Sequence, residues 1–150
     1  MSILHVLGVK KLLENLGEVS EKVIKGTRKG VIKAALDIEA AAKSNAPVDL
    51  GNLKASGYTV GPEDMTGPLG AGFKGESAGK IVHARDSSVA ASKKRVKKSI
   101  MPTAMVGFGA NYAIYVHELH ATKGKFLERA VRENRRNTLK VIGDEIEKAL

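Results

Sequence analysis

Apolar residues recur at helical spacing from Val19 to Ala42, and Pro47 then brings the run to a fixed stop. Val19, Val23, Ile24, Val31, Ala35, Ile38 and Ala42 share one face of a 3.6-residue period. The pattern predicts one long helix from about Glu18 to about Ser44. Gly26 and Gly30 stand inside the helix, and each weakens it by about 1 kcal/mol relative to Ala, which leaves it either straight or bent there. Pro47 enforces the end, because the residue before a proline is pushed out of the α region. Upstream, Gly8 opens a shorter helical segment with Val9, Leu12, Leu13 and Leu16 on one face. Gly17 is a suitable stop for it, since the position after a helix favours left-handed geometry. Ser2 to Val6 reads as a short edge strand.

Beyond Pro47, Asp49-Leu50-Gly51 is a turn, and Asn52 to Val60 reads as a short helical turn or strand start leading into a strand around Tyr58. Gly61, Pro62, Gly67, Pro68, Gly70, Gly72, Gly75 and Gly79 then fall within 19 residues, which predicts a long loop or flexible arm. Lys80 to Ala84 suits a strand. Asp86 to Ile100 suits a basic helix with Asp86 as N-cap, although its apolar periodicity is poor. Thr103 to Phe108 reads as a strand ended by Gly109, and Asn111 to Leu119 fits either helix or strand. After a polar turn at Ala121 to Gly124, a last helix runs from about Lys125 towards the C-terminus. Its Leu127, Val131 and Ile142 fall within about 60° of arc.

The chain lacks cysteine, which removes disulfides, thiolate metal sites and cysteine nucleophiles. Three Phe, three Tyr and no Trp mean an aliphatic core, with no aromatic platform for stacking bases. Met1 to Leu7 is too short for a signal h-region and its lysines follow it. No apolar stretch is long enough to span a membrane, so a soluble chain is expected. The net charge of +9 is unevenly placed: Lys80, Arg85, Lys93, Lys94, Arg95, Lys97 and Lys98 face one acid, Asp86, in a single segment. Such a block is either a solvated stretch or a polyanion site. On the last helix Lys125, Arg129, Arg132, Arg136 and Lys140 form one stripe within about 80° of arc, opposite the apolar one. It is either a solvated face or a contact for DNA phosphates or an acidic partner.

Three strings resemble sites of chemistry and fall short. Gly70-Ala71-Gly72-Phe73-Lys74-Gly75 has the spelling of a dinucleotide loop but lacks the preceding buried strand and the following helix. Gly75 to Lys80 is one residue short of a phosphate-cradling loop, and Ile81 stands where a Mg²⁺-holding hydroxyl is required. His117 and His120 are three apart, where a zinc-protease helix needs four, and only His5 and His83 remain as a third imidazole. No catalytic, cofactor-binding or metal site is assigned, and no cofactor is expected.

Three further segments carry a resemblance: Ala46-Pro47-Val48-Asp49-Leu50-Gly51-Asn52-Leu53-Lys54-Ala55-Ser56, then Val106 through Tyr112-Ala113-Ile114-Tyr115-Val116-His117-Glu118, then Gly124-Lys125-Phe126-Leu127-Glu128-Arg129-Ala130. In that order, covering about a fifth of the chain, they resemble a family of small tailed-bacteriophage proteins described as neck, tail-component or tail-completion proteins. Leu50 stands where that pattern has Thr. His117 lengthens the spacing from Tyr112-Ala113 to Glu118 by one, and Phe126 follows Gly124 one residue sooner. The motif residues Pro47, Gly51, Leu53, Tyr112, Ala113, Glu118, Phe126, Leu127 and Ala130 read as punctuation of a fold, not as a reaction centre.

The expected fold is α+β: one domain over residues 1–150, with a small, mostly antiparallel sheet against the long N-terminal helix and the C-terminal helix. A glycine-rich, basic insertion at about 61–102 would form the arm. The resemblance implies a non-enzymatic virion protein, assembled in the host cytoplasm. It would form a homo-oligomeric ring, hexameric or dodecameric, at the head–tail junction or proximal tail, against other neck, head-closure and tail proteins. The basic end of the arm would meet acidic protein or the exiting DNA. Rival readings are a free basic nucleic-acid-binding protein and a metal hydrolase built on His117 and His120.

Overall fold

The computed structural model describes residues 3–48, 51–70 and 72–150, with side chains from residue 8 onward. Helix α1 runs unbroken from Ile3 to Asn45, 43 residues. The expected strand at 2–6 is therefore helix over Ile3–Val6, with Ser2 outside the described residues, and Gly17 does not end a separate helix. The reason is phase. Val9, Leu12, Leu16, Val19 and Val23 follow one another at three and four residues straight through Gly17, and one interior glycine costs only about 1 kcal/mol. Pro47 stops α1 as expected, just after the fully buried Ala46.

Gly51 sits at φ 81°, the left-handed geometry that glycine tolerates, while Asp49 and Leu50 of the expected turn lie outside the described residues. The turn feeds the single helical turn α2 (Asn52–Ala55) and strand β1 (Gly57–Val60). Strand β2 (Met105–Phe108) pairs antiparallel to β1, with Gly57 opposite Phe108 and Val60 opposite Met105. Between the strands in sequence lies α3 (Ala78–Lys98). Helix α4 (Ala113–Leu119) resolves the ambiguous segment as helix, and α5 (Phe126–Glu147) is the C-terminal helix. The α+β expectation holds, with a sheet of two strands.

Alternation along β1 sorts the layers. Thr59 meets Glu39 of α1, whereas Tyr58 and Val60 cluster with Val89 and Val96 of α3 and with Met105. The sheet is thus sandwiched between α1 and α3, and α5 lies along α1. This corrects the reading of 61–102. A 3-10 turn at Pro62–Asp64 and a glycine-rich loop do open the stretch, but its second half is a helix on the sheet, not an arm. Lys80–Ala84 is helical, not a strand, and Asp86 lies inside α3 instead of capping it. The buried face of α3 consists of Ile81, Arg85, Val89, Ser92 and Val96. That face is helical in period yet partly polar, so it escapes a search for apolar residues alone. No described helix is long and apolar enough to cross a membrane.

Contact between α1 and α5 is closest at two glycines. A Cβ on Gly30 would fall 2.7 Å from Ile142 Cα, and one on Gly26 would fall 2.7 Å from both Glu145 O and Ile146 Cα. The residues that weaken the helix in isolation are those that let the two backbones touch. Lys33 and Glu145 close the side of this seam at 3.2 Å. Between α1 and the sheet lies Glu39, only 4% exposed. Its carboxylate accepts from Thr59 Oγ1 and pairs with Lys43 Nζ, both at 2.5 Å, so the buried charge is satisfied.

Two glycine substitutions separate backbone contact from helix propensity. A methyl group added at Gly17 would meet nothing within 4 Å, so Gly17→Ala should raise stability by up to about 1 kcal/mol in urea unfolding. Gly30→Ala should lower it by about 1–3 kcal/mol, because the added methyl must push α5 away. A gain at both positions would refute the tight seam.

Candidate functional site

The three motif segments, far apart in the chain, share one core cluster. Leu53, Ala113, Phe126 and Ala130 are buried together with Ala42, Ala46, Ile81 and Ala110, and Tyr112, Val116 and Leu127 pack against them. Phe126 is the keystone at 1% exposure. Its ring meets Phe108 edge-on at 5.0 Å and His117 at 5.2 Å between centroids, a favoured aromatic geometry. Lys125 precedes it in left-handed geometry, φ 55°, and its backbone N–H donates to His117 O at 2.6 Å. That bond turns the chain from α4 into α5 and drives Phe126 inward.

Glu118, at the outer end of α4, accepts from Lys125 Nζ and from His117 Nδ1, the latter at 2.9 Å. The Lys125 hydrogen bond, and then that of His117, hold the Glu118 carboxyl below the ordinary carboxylate range. Glu118 thus ties the second motif to the third. His120 Nδ1 accepts from Lys123 N at 3.1 Å and so shapes the same turn. The histidine pair therefore serves the α4–α5 corner. Among the described residues no group of three or more His, Asp or Glu could hold a metal ion. His83 lies on α3, and the His5 side chain is outside the described set.

Beside the cluster lies a groove of about 530 Å³ whose wall includes Pro47, Gly51, Leu53, Tyr112, Ile81 and His120. Its far rim is the glycine-rich loop, held by two side chains that sequence reading misses. Asn52 clamps Lys74 through two bonds of 2.8 Å, donating to its O and accepting from its N. Arg85, 9% exposed, donates to Gly70 O, pairs with Asp86 and lies over the Phe73 ring at 5.2 Å. Asn52 follows the left-handed glycine, and Arg85 sits at helical spacing between Ile81 and Val89. Each of these signals is present in the sequence. The Gly70–Gly75 string is accordingly a strapped loop, with Ala71 outside the described residues.

The basic residues fall on two different layers. Lys94, Arg95, Lys97 and Lys98 are exposed at the end of α3, with Lys93 half-buried. Lys125, Arg132, Arg136 and Lys140 are exposed on α5, with Arg129 half-buried. Part of the α5 stripe is already engaged: Arg132 with Glu128, Lys125 with Glu118, and Arg129 with Gly124 O. The α3 and α5 groups do not merge into one basic site. No family model matches this sequence, and neither a curated protein nor a solved structure does.

The Glu118 geometry makes a titration prediction. Followed by side-chain carbonyl NMR, Glu118 should titrate below an ordinary glutamate, and Lys125→Met should move it upward. Because its folded-state pKa is depressed, the contribution of this carboxylate to stability is present above the unfolded pKa and fades as pH falls through the folded one. An unshifted value in the parent chain would refute the contact.

Proposed function

We propose that this chain is a structural subunit of a tailed-bacteriophage particle. It forms a homo-oligomeric ring of the neck, tail-completion or tail-terminator type, joining head connector to tail around the DNA channel. The family resemblance supplies the context. The observation that carries the reading is the two-faced character of α4: Ala113 and Val116 pack inward on the motif cluster, while Ile114, Tyr115 and Leu119 point outward at 66%, 65% and 76% exposure. An apolar face this exposed, fixed to a rigid core and beside a groove, suits contact between subunits. The motif then serves as a joint: its inner half fixes the fold and its outer half meets the neighbour.

This reading moves the neighbour contact from the 61–102 stretch to α4. Deleting residues 62–100 would strip α3 from the sheet and bare Tyr58 and Val60, so loss of assembly on that deletion would reflect unfolding. The basic end of α3 is assigned to the channel DNA or to an acidic partner. The nucleic-acid-binding reading draws on the same exposed Lys94, Arg95, Lys97 and Lys98. It predicts a duplex affinity whose logarithm falls linearly with log salt, in a chain that needs no ring.

Negative-stain microscopy of the purified chain is the test, with rings around a central hole as the expected image. Tyr115→Asp combined with Leu119→Asp should abolish the rings and leave the thermal unfolding transition in place, since both side chains are outside the core. Monomers at high concentration that bind duplex DNA would overturn the proposal in favour of the rival.

A further inference from the structure

The stretch of α1 from Lys22 to Lys29 is a ridge between two grooves. Lys22, Lys25 and Lys29, all exposed, line a groove of about 340 Å³ with Glu145 of α5 and with Lys148 and Ala149 just beyond it. Their spacings of three and four keep the three lysines within about 60° of arc. Arg28, on the adjoining face, lines a second groove of about 550 Å³ together with Lys93 and Lys97 of α3. Segments far apart in the chain thus border one strip of surface, running from Lys148 across α1 to the basic end of α3. The acids within it are mostly spent. Glu145 pairs with Lys33 at 3.2 Å and with Lys148 at 2.9 Å, and Glu63 pairs with Arg28. Asp64 is the remaining acid of the two walls. Glu18 and Glu21 stand one turn before Lys22 and Lys25 without forming an ion pair to them. Among the described residues Lys25, Lys29, Lys93 and Lys97 have no carboxylate partner.

We infer that this band holds the phosphate backbone of a nucleic acid without reading its bases. Lysine presents a point charge to phosphate oxygens and lacks the planar fork that would select one geometry. Lys22 to Lys29 spans about 10 Å along the helix axis, the axial run of about three phosphates on one strand. No aromatic side chain lines either groove, so bases have no platform to stack on. An acidic protein is the other polyanion, and the first groove argues against it. Interface centres are poor in lysine and need apolar surface, whereas this wall offers four lysines and Ala149 alone. The second groove carries apolar Ile24, Ile100 and Met101 as well, so the lysine groove decides between the two. The band deepens the assignment of the α3 end made above, on which it rests, and it does not need the ring.

Fluorescence anisotropy of a labelled DNA duplex of mixed sequence, titrated with the purified full chain over a salt series, tests this. Lys25→Gln with Lys29→Gln should weaken binding about tenfold and make the slope of log affinity against log salt shallower by about two. Lys93→Gln with Lys97→Gln should do the same. Arg136→Gln with Lys140→Gln removes equal charge from the outer face of α5 and should leave affinity within about twofold. All six side chains lie outside the core clusters, so the melting transition should stay in place in every variant. Full-strength binding by the α1 variant overturns the inference, and so does an equal loss from the α5 variant, which would mean attraction by net charge alone. It is also overturned if polyglutamate is bound and the duplex is not. Rings that bind no duplex sink this inference alone, while monomers that bind it through Lys25 and Lys29 sink the ring reading alone.

Discussion

Backbone contact between α1 and α5 at Gly26 and Gly30 is the constraint on which the remaining architecture rests. It fixes the separation of the two longest helices over the stretch where Ile142 and Ile146 lie directly against the glycines. With α5 seated there, its first turn delivers Phe126 and Ala130 to the cluster shared with α1, α2 and α4. Widening the seam by a methyl group would tilt that first turn, and the side chains that hold Pro47, Leu53 and Ala113 in place would lose their floor. Interiors at crystal-like density transmit such shifts instead of absorbing them.

The opposite layer is held differently. Helix α3 joins the sheet through a small apolar patch of Tyr58, Val60, Val89, Val96 and Met105. Polar bonds complete the attachment: Tyr58 OH with Ser92 Oγ at 3.2 Å joins α3 to the sheet, and Arg85 to Gly70 O joins α3 to the loop that Asn52 holds at Lys74. Gly109 brings the end of β2 against Arg85 itself, since a Cβ there would overlap the Arg85 Cα. A layer anchored by directional bonds and close backbone approach needs few large apolar residues. That is how a sequence with so few aromatics covers both faces of a two-stranded sheet.

The same difference explains what the sequence discloses. The stop at Pro47, the turn at Gly51, the strands around Tyr58 and Val106, and the helical α5 follow from local chemistry that tertiary context does not override. Gly17 misleads when propensity is weighed above phase, although the apolar seam crosses it without a shift. The α3 segment reads as an arm because its buried face uses Arg85 and Ser92 at helical positions, and because the glycine-rich loop before it gives a strong local signal. The positions of Asn52 and Arg85 are marked in the sequence, but what they and Glu39 anchor is not, since the partners that make burial of polar groups tolerable lie 15 to 22 residues away. The motif residues are legible as punctuation; their convergence on Phe126 depends on long-range packing that spacing does not encode.

Where this chain exposes apolar surface is as informative as where it buries it. Single exposed apolar side chains are ordinary on any protein, but here they are grouped on rigid elements. Ile114, Tyr115 and Leu119 lie on a helix locked to the core, and Val9 to Val19 lie on a seam that elsewhere already receives a helix. The exposed cations of α3 and of α5, by contrast, sit on separate layers. A chain that gathered its reactive groups into one cleft would argue for acting on a ligand. Here the exposed apolar groups lie on separate rigid elements instead, a distribution that suits the subunit role proposed above, in which the chain is contacted on several sides at once.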